Sequence, residues 1–355
     1  MYNVIIITFW DVQSMTNNKK ISMQDIADYV GISKNSVSLA LNGKPGVSER
    51  LRDEIIAAAQ HLGYARLESM TKSSETHNII VLTAEYVLTD QQFYPTFLSS
   101  IGKECRILGF NAVFTDISKD MEKMMTFPRI LSDLEHQGVI VIGVLNKAYV
   151  NKLNAQPYPV VLVDTYYHDS LSNVVVTENI QGAYSAVKYL LDHGHREIGF
   201  IGPIAATSSN YERWIGYNKA LFDHGYADMP QFSLTTASDI CTSQDEIEVF
   251  LKTLDRYPTA WFCANDKMAI SLIRALQSNQ VSVPNDVSVI GFDDDEFARF
   301  VTPPLTTIRV RRDVISREAI NLLRSLAALQ RDYPKTKVSV YGELVERESV
   351  KRIAE

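Results

Sequence analysis

Apolar positions between residues 21 and 64 recur at helical spacing. Ser22 followed three positions on by Asp25 is a start of the capping-box type, after which Ile26, Ala27 and Val30 share one face. Gly31 interrupts the chain where a tight turn is needed, and Ser33 caps a second helix with Val37, Ala40 and Leu41 on its inner face. Lys34, Asn35, Ser38 and Leu39 are thereby turned outward. Asn42-Gly43-Lys44-Pro45-Gly46 reads as a loop. Ser48 then caps a third helix with the stripe Leu51, Ile55, Ala58 and Leu62, ending at Gly63. From residue 78 the period changes. Apolar runs occur at Ile79–Leu82, Ala112–Phe114, Val139–Ile142, Val160–Val163, Ile198–Ile201, Trp261–Cys263 and Val287–Ile290. Between them, Ile180–His193, Tyr211–His224 and Asp266–Ser278 are helical in period. Continuous apolar strands separated by helices predict parallel sheets covered on both faces, with strands enough for two sheets.

Length and charge refine this picture. At 355 residues the chain exceeds what one core usually serves, so two or three domains are expected. A net charge of −7 excludes a wholly basic nucleic-acid binder. Residues 19–66, however, hold seven Lys/Arg against five Asp/Glu, leaving −9 for the remainder. A mildly basic end on an acidic body suits local phosphate contact without general adhesion to DNA. Cys105, Cys241 and Cys263 are few and far apart, which argues against a disulfide framework and for a reducing compartment, and no zinc spacing occurs. The run Val4–Ile7 lacks both a positive leader and a long apolar core, so it reads as neither a secretion signal nor a membrane span. Residues 1–14 look foreign to the helical domain after them, Met15 is a candidate start, and the extension 1–18 receives no role.

A second helix set across the first by a glycine turn can project into a DNA major groove. Its outward residues are short and polar, able to meet base edges, and Lys34 can reach phosphate. On pattern alone, a small helical bundle with a solvated polar face fits as well. In the body, ligands of doubly wound sheets lie beyond the carboxyl ends of the strands. Those positions hold Thr83, Glu85, Asp164, Thr207-Ser208-Ser209, Asn265-Asp266 and Asp293-Asp294-Asp295, with Arg213 early in the helix after the serine loop. Carboxylates, an amide, hydroxyls and one guanidinium form a set that a polyol needs, because each of its hydroxyls both donates and accepts. Singly, an Asp after a strand more often caps a helix or turns the chain; the joint occurrence is the signal.

Residues 21–64, from Ile-Ser-Met-Gln-Asp-Ile-Ala-Asp-Tyr-Val-Gly-Ile-Ser-Lys-Asn-Ser-Val-Ser-Leu-Ala-Leu-Asn-Gly through Val47-Ser48 to Leu62-Gly63-Tyr64, resemble the headpiece of the lactose-repressor (LacI/GalR) family. The resemblance runs on to about residue 350 through Val176-Thr177-Glu178-Asn179, Gly194-His195-Arg196-Glu197-Ile198, Glu212-Arg213-Trp214-Ile215-Gly216-Tyr217, Ala264-Asn265-Asp266 and Val289-Ile290-Gly291-Phe292-Asp293-Asp294. It implies an all-α helix-turn-helix headpiece at 19–66, a linker or hinge at 67–77, and an effector-binding and dimerisation body at 78–355. That body would be periplasmic-binding-protein-like, an α/β architecture of two doubly wound parallel-sheet subdomains: 78–176 with 309–334, and 177–308 with 335–355. Three crossovers are expected near 175–180, 308–312 and 332–338.

The same resemblance implies DNA-binding roles for Ser22, Tyr29, Ser33, Lys34, Asn35, Ser36, Ser38, Leu39 and Asn42. It implies effector-binding roles for Tyr94, Asp164, Thr207, Ser209, Arg213, Asn265 and Asp293. Three departures stand out. Leu39 occupies a position where many members carry Arg, so the operator is expected to differ at that base pair. The Pro-Asn pair that often follows Tyr64 is absent, and the Ser/Thr/Lys-containing stretch 65–76 reads as a flexible linker. Glu178 stands where Asp is usual, and Ser238-Asp239-Ile240-Cys241 supplies no aromatic ring where some relatives place one.

The resulting expectation is a cytoplasmic homodimeric repressor with double-stranded operator DNA and a small-molecule effector, a carbohydrate, as partners, and with no catalytic residues, cofactor, metal or membrane. The rivals are a regulator of the same fold controlled by a protein partner, a sugar-binding protein and an α/β enzyme. His193-Gly194-His195 is read as a helix stop rather than a metal pair, and Asp293-Asp294-Asp295 as one effector contact followed by turn and cap residues. No Gly-x-Ser-x-Gly elbow, P-loop or HExxH pattern is present.

Overall fold

The computed structural model describes residues 21–41, 46–62, 64, 77–88, 90, 93–238, 242–329 and 334–353. The chain separates into two compact units, 1–76 and 77–355.

In the first unit, α1 (Met23–Val30), α2 (Lys34–Leu41) and α3 (Glu49–His61) enclose a core of Ile26, Ala27, Val37, Ala40, Leu41, Ile55, Ala58, Ala59 and Tyr64. Capping fixes the ends of these helices. Ser22 and Asp25 form the reciprocal box, and Gly31 closes α1 at φ +75°, where a side chain would be strained. Ser33 Oγ accepts from the Ser36 amide at 3.1 Å, and Ser48 Oγ accepts from the Leu51 amide at 3.4 Å. The Arg52 guanidinium reaches from α3 to the Ala40 carbonyl at 3.0 Å, fastening the end of α2.

The second unit contains β1 (Asn78–Ala84), α4 (Phe93–Ile107), β2 (Asn111–Ile117), α5 (Lys119–Met124), α6 (Ile130–Asp133), β3 (Val139–Ile142), α7 (Lys147–Asn154), β4 (Val160–Val163) and β5 (Asn173–Thr177). It continues with α8 (Asn179–Asp192), β6 (Ile198–Ile201), α9 (Ser208–Asp223), α10 (Gln244–Leu251), β7 (Ala260–Cys263), α11 (Asp266–Ser278) and β8 (Ser288–Ile290). The remainder is β9 (Thr307–Arg309), α12 (Arg312–Leu329), β10 (Lys337–Val340) and β11 (Glu343–Val345).

Six strands form one sheet in the order β2-β1-β3-β4-β5-β10, every pair parallel. A second parallel sheet runs β6-β7-β8. Bridges place Leu234 beside β6 and Thr306 beside β8, so the second sheet repeats the strand order of the first. In this order the chain reverses direction of growth after the first two strands, which opens a crevice at the carboxyl ends. The strands β3, β4, β5, β6 and β7 are buried along their whole length, as helices on both faces require.

The chain passes between the sheets after β5 and after β9, near the expected crossovers. The third passage differs. Residues 337–340, assigned above to the second subdomain, pair with β5 in the first sheet, and the chain returns only with β11, antiparallel to β9. As an edge strand with alternate positions exposed, β10 gives a weak apolar signal, and its place comes from ladder bonds to β5.

Candidate functional site

The carboxyl ends of β4 and β8, one from each sheet, both end in an aspartate with positive φ: Asp164 at +70° and Asp293 at +118°. Non-glycine residues enter this region at a cost, and such strain concentrates where a side chain must be aimed. Between these ends lies Arg213, from the first turns of α9. Its Nη2 is 3.1 Å from Asp293 Oδ1, close enough for charge pairing although not aligned as a hydrogen bond. Its Nε donates to Asn179 Oδ1 at 2.9 Å and its Nη1 to the Ala264 carbonyl at 2.6 Å. The guanidinium plane lies 3.8 Å over the Phe292 ring. Gly182 makes that placement possible, because a Cβ there would come within 2.8 Å of the same ring. Gly216 lets α9 lie against α8, where a Cβ would meet the Ile180 carbonyl at 2.3 Å.

A second layer of polar groups holds the first. Asn179 Nδ2 donates to Glu212 Oε2 at 2.9 Å, and Glu212 Oε1 accepts from Tyr166 Oη at 2.5 Å and from Lys337 Nζ at 3.0 Å. Tyr166 and Lys337 belong to the first subdomain, whereas Glu212 and Arg213 lie on α9 of the second. The buried Glu212 carboxylate therefore joins the two subdomains and, through the Asn179 amide, orients Arg213. A further contact joins the same layers: Ser209 Oγ donates to the Asp164 carbonyl at 3.0 Å.

The electrostatics follow from burial. Desolvation raises the half-buried Asp164 to about 7, against the opposing pull of Arg213 and with a further push from Asp293. Burial likewise raises Asp293, which Arg213 and Arg312 pull down. Asp295, pushed up to about 7 by desolvation and by Asp293, pairs with Arg312 Nη2 at 2.5 Å. It stands at the start of the short turn Glu296–Arg299, yet its carboxylate faces Arg312 and does not cap. Asp294 is resisted by burial but held low by Arg347 and by Arg309, the latter at 2.7 Å. These arginines satisfy the second and third carboxylates of the triplet, leaving Asp293 as the member that faces the cleft arginine. His193 and His195 do not converge: His193 Nδ1 meets the Tyr189 carbonyl at 2.8 Å, and His195 lies between Thr259 Oγ1 and the Lys351 carbonyl, each at 3.1 Å. Among the described residues, no group of three or more His, Cys, Asp and Glu side chains could hold a metal ion.

The remaining cleft residues expected from the sequence are spread over helix caps and a half-buried tyrosine pair. Thr207 caps α9, its Oγ1 accepting from the Asn210 amide at 3.0 Å. Asn265 caps α11, its Oδ1 accepting from the Met268 amide at 2.9 Å. Tyr94 Oη lies 3.2 Å from Tyr86 Oη, and burial, Tyr86 and Asp164 together raise its phenol well above the usual range. Asn179, Glu212, Tyr166, Arg312 and Lys337 were not among the expected site residues. A cavity of about 290 Å³ opens beside the cluster, bounded by Thr165, Tyr166, Tyr167 and His168 on one side and by Ile204–Ser208 and Tyr211 on the other.

In the first unit, Lys34 and Asn35 are exposed at the start of α2, with Ser36, Ser38 and Leu39 half-buried beside them. Ser22 and Ser33 are engaged in capping, and Leu39 Cδ1 lies against Gly46, where a Cβ would be 3.4 Å away. Tyr29 is exposed and packs on His61 with ring centroids 5.9 Å apart. Asn42, the extension 1–18 and residues 67–76 of the linker lie outside the described residues, as do Asp239, Ile240 and Cys241.

The bacterial regulatory proteins of the lacI family match residues 22–66, and the periplasmic binding protein-like domain matches residues 187–350. The HTH-type transcriptional repressor PurR of Histophilus somni (strain 2336) is 28% identical over 340 residues, covering 94% of this chain and 99% of its own length. Both parts of the lacI-family plan are therefore matched. PurR of Vibrio campbellii (strain ATCC BAA-1116) is 26% identical over 336 residues, covering 94% of this chain and 99% of its own length. Two solved structures share the fold at 22% identity and a TM-score of 0.67: the transcriptional regulator CelR–cellobiose complex, and the lac repressor dimer bound to operator and the anti-inducer ONPF. The first covers 93% of this chain and 99% of its own, the second 94% and 100%. With the lacI-type reader and these relatives, the chain is a DNA-binding transcriptional regulator and not an enzyme; the PurR relatives are repressors. Among the described residues no helix is long and apolar enough to cross a membrane.

Proposed function

We propose that this regulator is a cytoplasmic homodimeric repressor whose grip on operator DNA is set by a carbohydrate held between its two subdomains. The observation that carries the reading is the pairing of Arg213 with Asp293 in the second subdomain, close enough to Asp164 of the first for each to shift its ionisation, in a chain that also exposes Lys34 and Asn35 on a capped second helix. A sugar hydroxyl can take the place of each half of that ion pair, accepting from the guanidinium and donating to the carboxylate. Asn265, Ser209, Thr207 and Tyr94 would supply the neutral contacts. A ligand bridging Asp164 to Arg213 and Asp293 would fix the angle between subdomains, and through it the spacing of two headpieces.

Asn35, Ser36 and Ser38 would read base edges in the major groove, with Leu39 offering an apolar contact to a thymine methyl. Lys34 would bind phosphate, and Tyr29 and Asn42 would support the docked headpiece. Ser22 and Ser33 act chiefly as caps that present their helix amides to the backbone. Two headpieces on a dimer would match half-sites about 34 Å apart or a multiple of it. The solved lac repressor dimer on its operator and the CelR–cellobiose complex support such partners for this chain.

The test selects operator DNA from a randomised double-stranded library with the intact protein. Fluorescence anisotropy then compares its affinity with and without each member of a sugar panel. Selection of a near-palindromic site whose affinity changes with one sugar supports the reading. A protein that binds a specific site yet ignores every sugar loses the carbohydrate part.

A further inference from the structure

The cavity of about 290 Å³ beside the charged cluster has a different chemistry from the cluster itself. Among the described residues, no Asp, Glu, Lys or Arg lines it. Its walls carry the rings of Tyr166, Tyr167, His168 and Tyr211, with Tyr166 and His168 centroids 4.9 Å apart and His168 and Tyr211 centroids 6.0 Å apart. Tyr211 in turn stacks on Trp214 at 6.0 Å, so its orientation is supported from behind. Two hydroxyls complete the wall. Thr207 Oγ1 accepts from the Asn210 amide at 3.0 Å and Ser208 Oγ from the Tyr166 amide at 3.3 Å. Each hydroxyl thus keeps its own proton to donate to an oxygen acceptor.

This combination selects an uncharged ring with an apolar face and oxygen acceptors on its edge. A charged ligand would find no counter-ion, and desolvating it would cost several kcal/mol. A pyranose satisfies both requirements, its C–H face on an aromatic ring and its ring and hydroxyl oxygens toward Thr207 and Ser208. The volume lies near the lower end of ligand pockets, about 300–1,000 Å³, which suits one ring.

The cavity wall also adjoins the cluster along the chain. Thr165 follows Asp164 directly, Ser208 precedes Ser209, and Ser209 Oγ bonds the Asp164 carbonyl at 3.0 Å. We propose that the effector is an uncharged disaccharide, one ring held by Asp164, Arg213 and Asp293 and the second seated in the cavity against the joined rings of His168 and Tyr211. This inference rests on the carbohydrate reading of the cleft.

The test is titration calorimetry of the intact chain with cellobiose, maltose and lactose, and with glucose and galactose. Tyr211→Ala removes a ring from the cavity, and Ala206→Trp fills it from an adjacent wall position while leaving every cluster residue in place. Circular dichroism establishes that each variant is folded. One disaccharide is expected to bind at least about tenfold tighter than either of its monosaccharide units, and both variants are expected to erase that advantage. A monosaccharide that binds as tightly as its disaccharide overturns the proposal, as does a pair of variants that leaves the advantage intact. If neither the disaccharides nor the monosaccharides bind, the carbohydrate reading itself falls, and this inference with it.

Discussion

Glu212 Oε2 accepts the Nδ2 hydrogen of Asn179 at 2.9 Å, and the opposite oxygen of that amide accepts Arg213 Nε at 2.9 Å. One carboxylate thereby decides which way the Asn179 amide points, and the amide decides where the guanidinium lies. Because Glu212 is also bonded to Tyr166 and Lys337, the same group couples the cleft arginine to the first subdomain.

Glu212→Gln tests this arrangement. The amide of Gln presents a donor to a site already surrounded by three donors, so at least one hydrogen bond is lost. The expected cost is about 1–3 kcal/mol, with the melting temperature of the body falling accordingly in calorimetry. Tyr166→Phe removes one donor alone and is expected to cost less. Equal melting temperatures for Glu212→Gln and the parent would refute the linkage.

The raised carboxylates give a pH dependence of definite sign. Asp164 and Asp295 hold their protons to about 7 in the folded chain, whereas an unfolded aspartate releases its proton near 3.8. Their contribution to stability is complete below about pH 4 and is lost as pH rises toward 7. Asp164→Asn cannot ionise. That variant is expected to exceed the parent in stability at pH 8 by at least about 1.4 kcal/mol, the value of one pKa unit, with the gap closing toward pH 4. Denaturant melts at both pH values check this, and a gap that widens on acidification would contradict it.

Reader and sensor should be separable. Asn35→Ala is expected to weaken operator binding by about 1–3 kcal/mol while leaving sugar affinity unchanged, since Asn35 is exposed on α2 and the cleft lies in the other unit. Asp293→Ala leaves Arg213 without its charge partner and is expected to abolish sugar binding while the protein still binds operator. Anisotropy and calorimetry on both variants give the four values needed, and unchanged sugar affinity in Asp293→Ala would remove that residue from the site.

Leu39 offers a specificity test. Its side chain is half-buried, with Cδ1 beside Gly46, so in the proposed docking it would meet DNA only through apolar surface. Leu39→Arg introduces a bidentate donor and is expected to shift the selected operator toward guanine at one base pair per half-site. Repeating the library selection with the variant reads this directly, and an unchanged consensus would place residue 39 away from the bases.

Local signals in the sequence carried much of this structure. The runs Val139–Ile142, Val160–Val163 and Ile198–Ile201 are strands over those same residues, and the period over Asp266–Ser278 is α11. The capping residues Ser22, Ser33 and Ser48 lie at their expected helix starts. What the sequence did not disclose was long-range. β10 is short and half-exposed, and only its bonds to β5, more than 150 positions earlier, fix its sheet. Lys337 and Tyr166 carry no motif, yet both converge on Glu212 from distant positions. The pairing of Asp294 with Arg309 and Arg347 likewise depends on three separate elements, so an acidic triplet that could suggest a cation site is already neutralised by arginines.

In the proposed mechanism one chain reads DNA with α2 and changes its grip when the cleft is filled. Its most direct test is the operator affinity of the intact protein, measured by anisotropy with and without a saturating concentration of the sugar that binds it tightest. A change of at least about fivefold, in either direction, is expected, and Asp293→Ala should abolish it. Identical operator affinity in the empty and sugar-saturated protein would contradict the account.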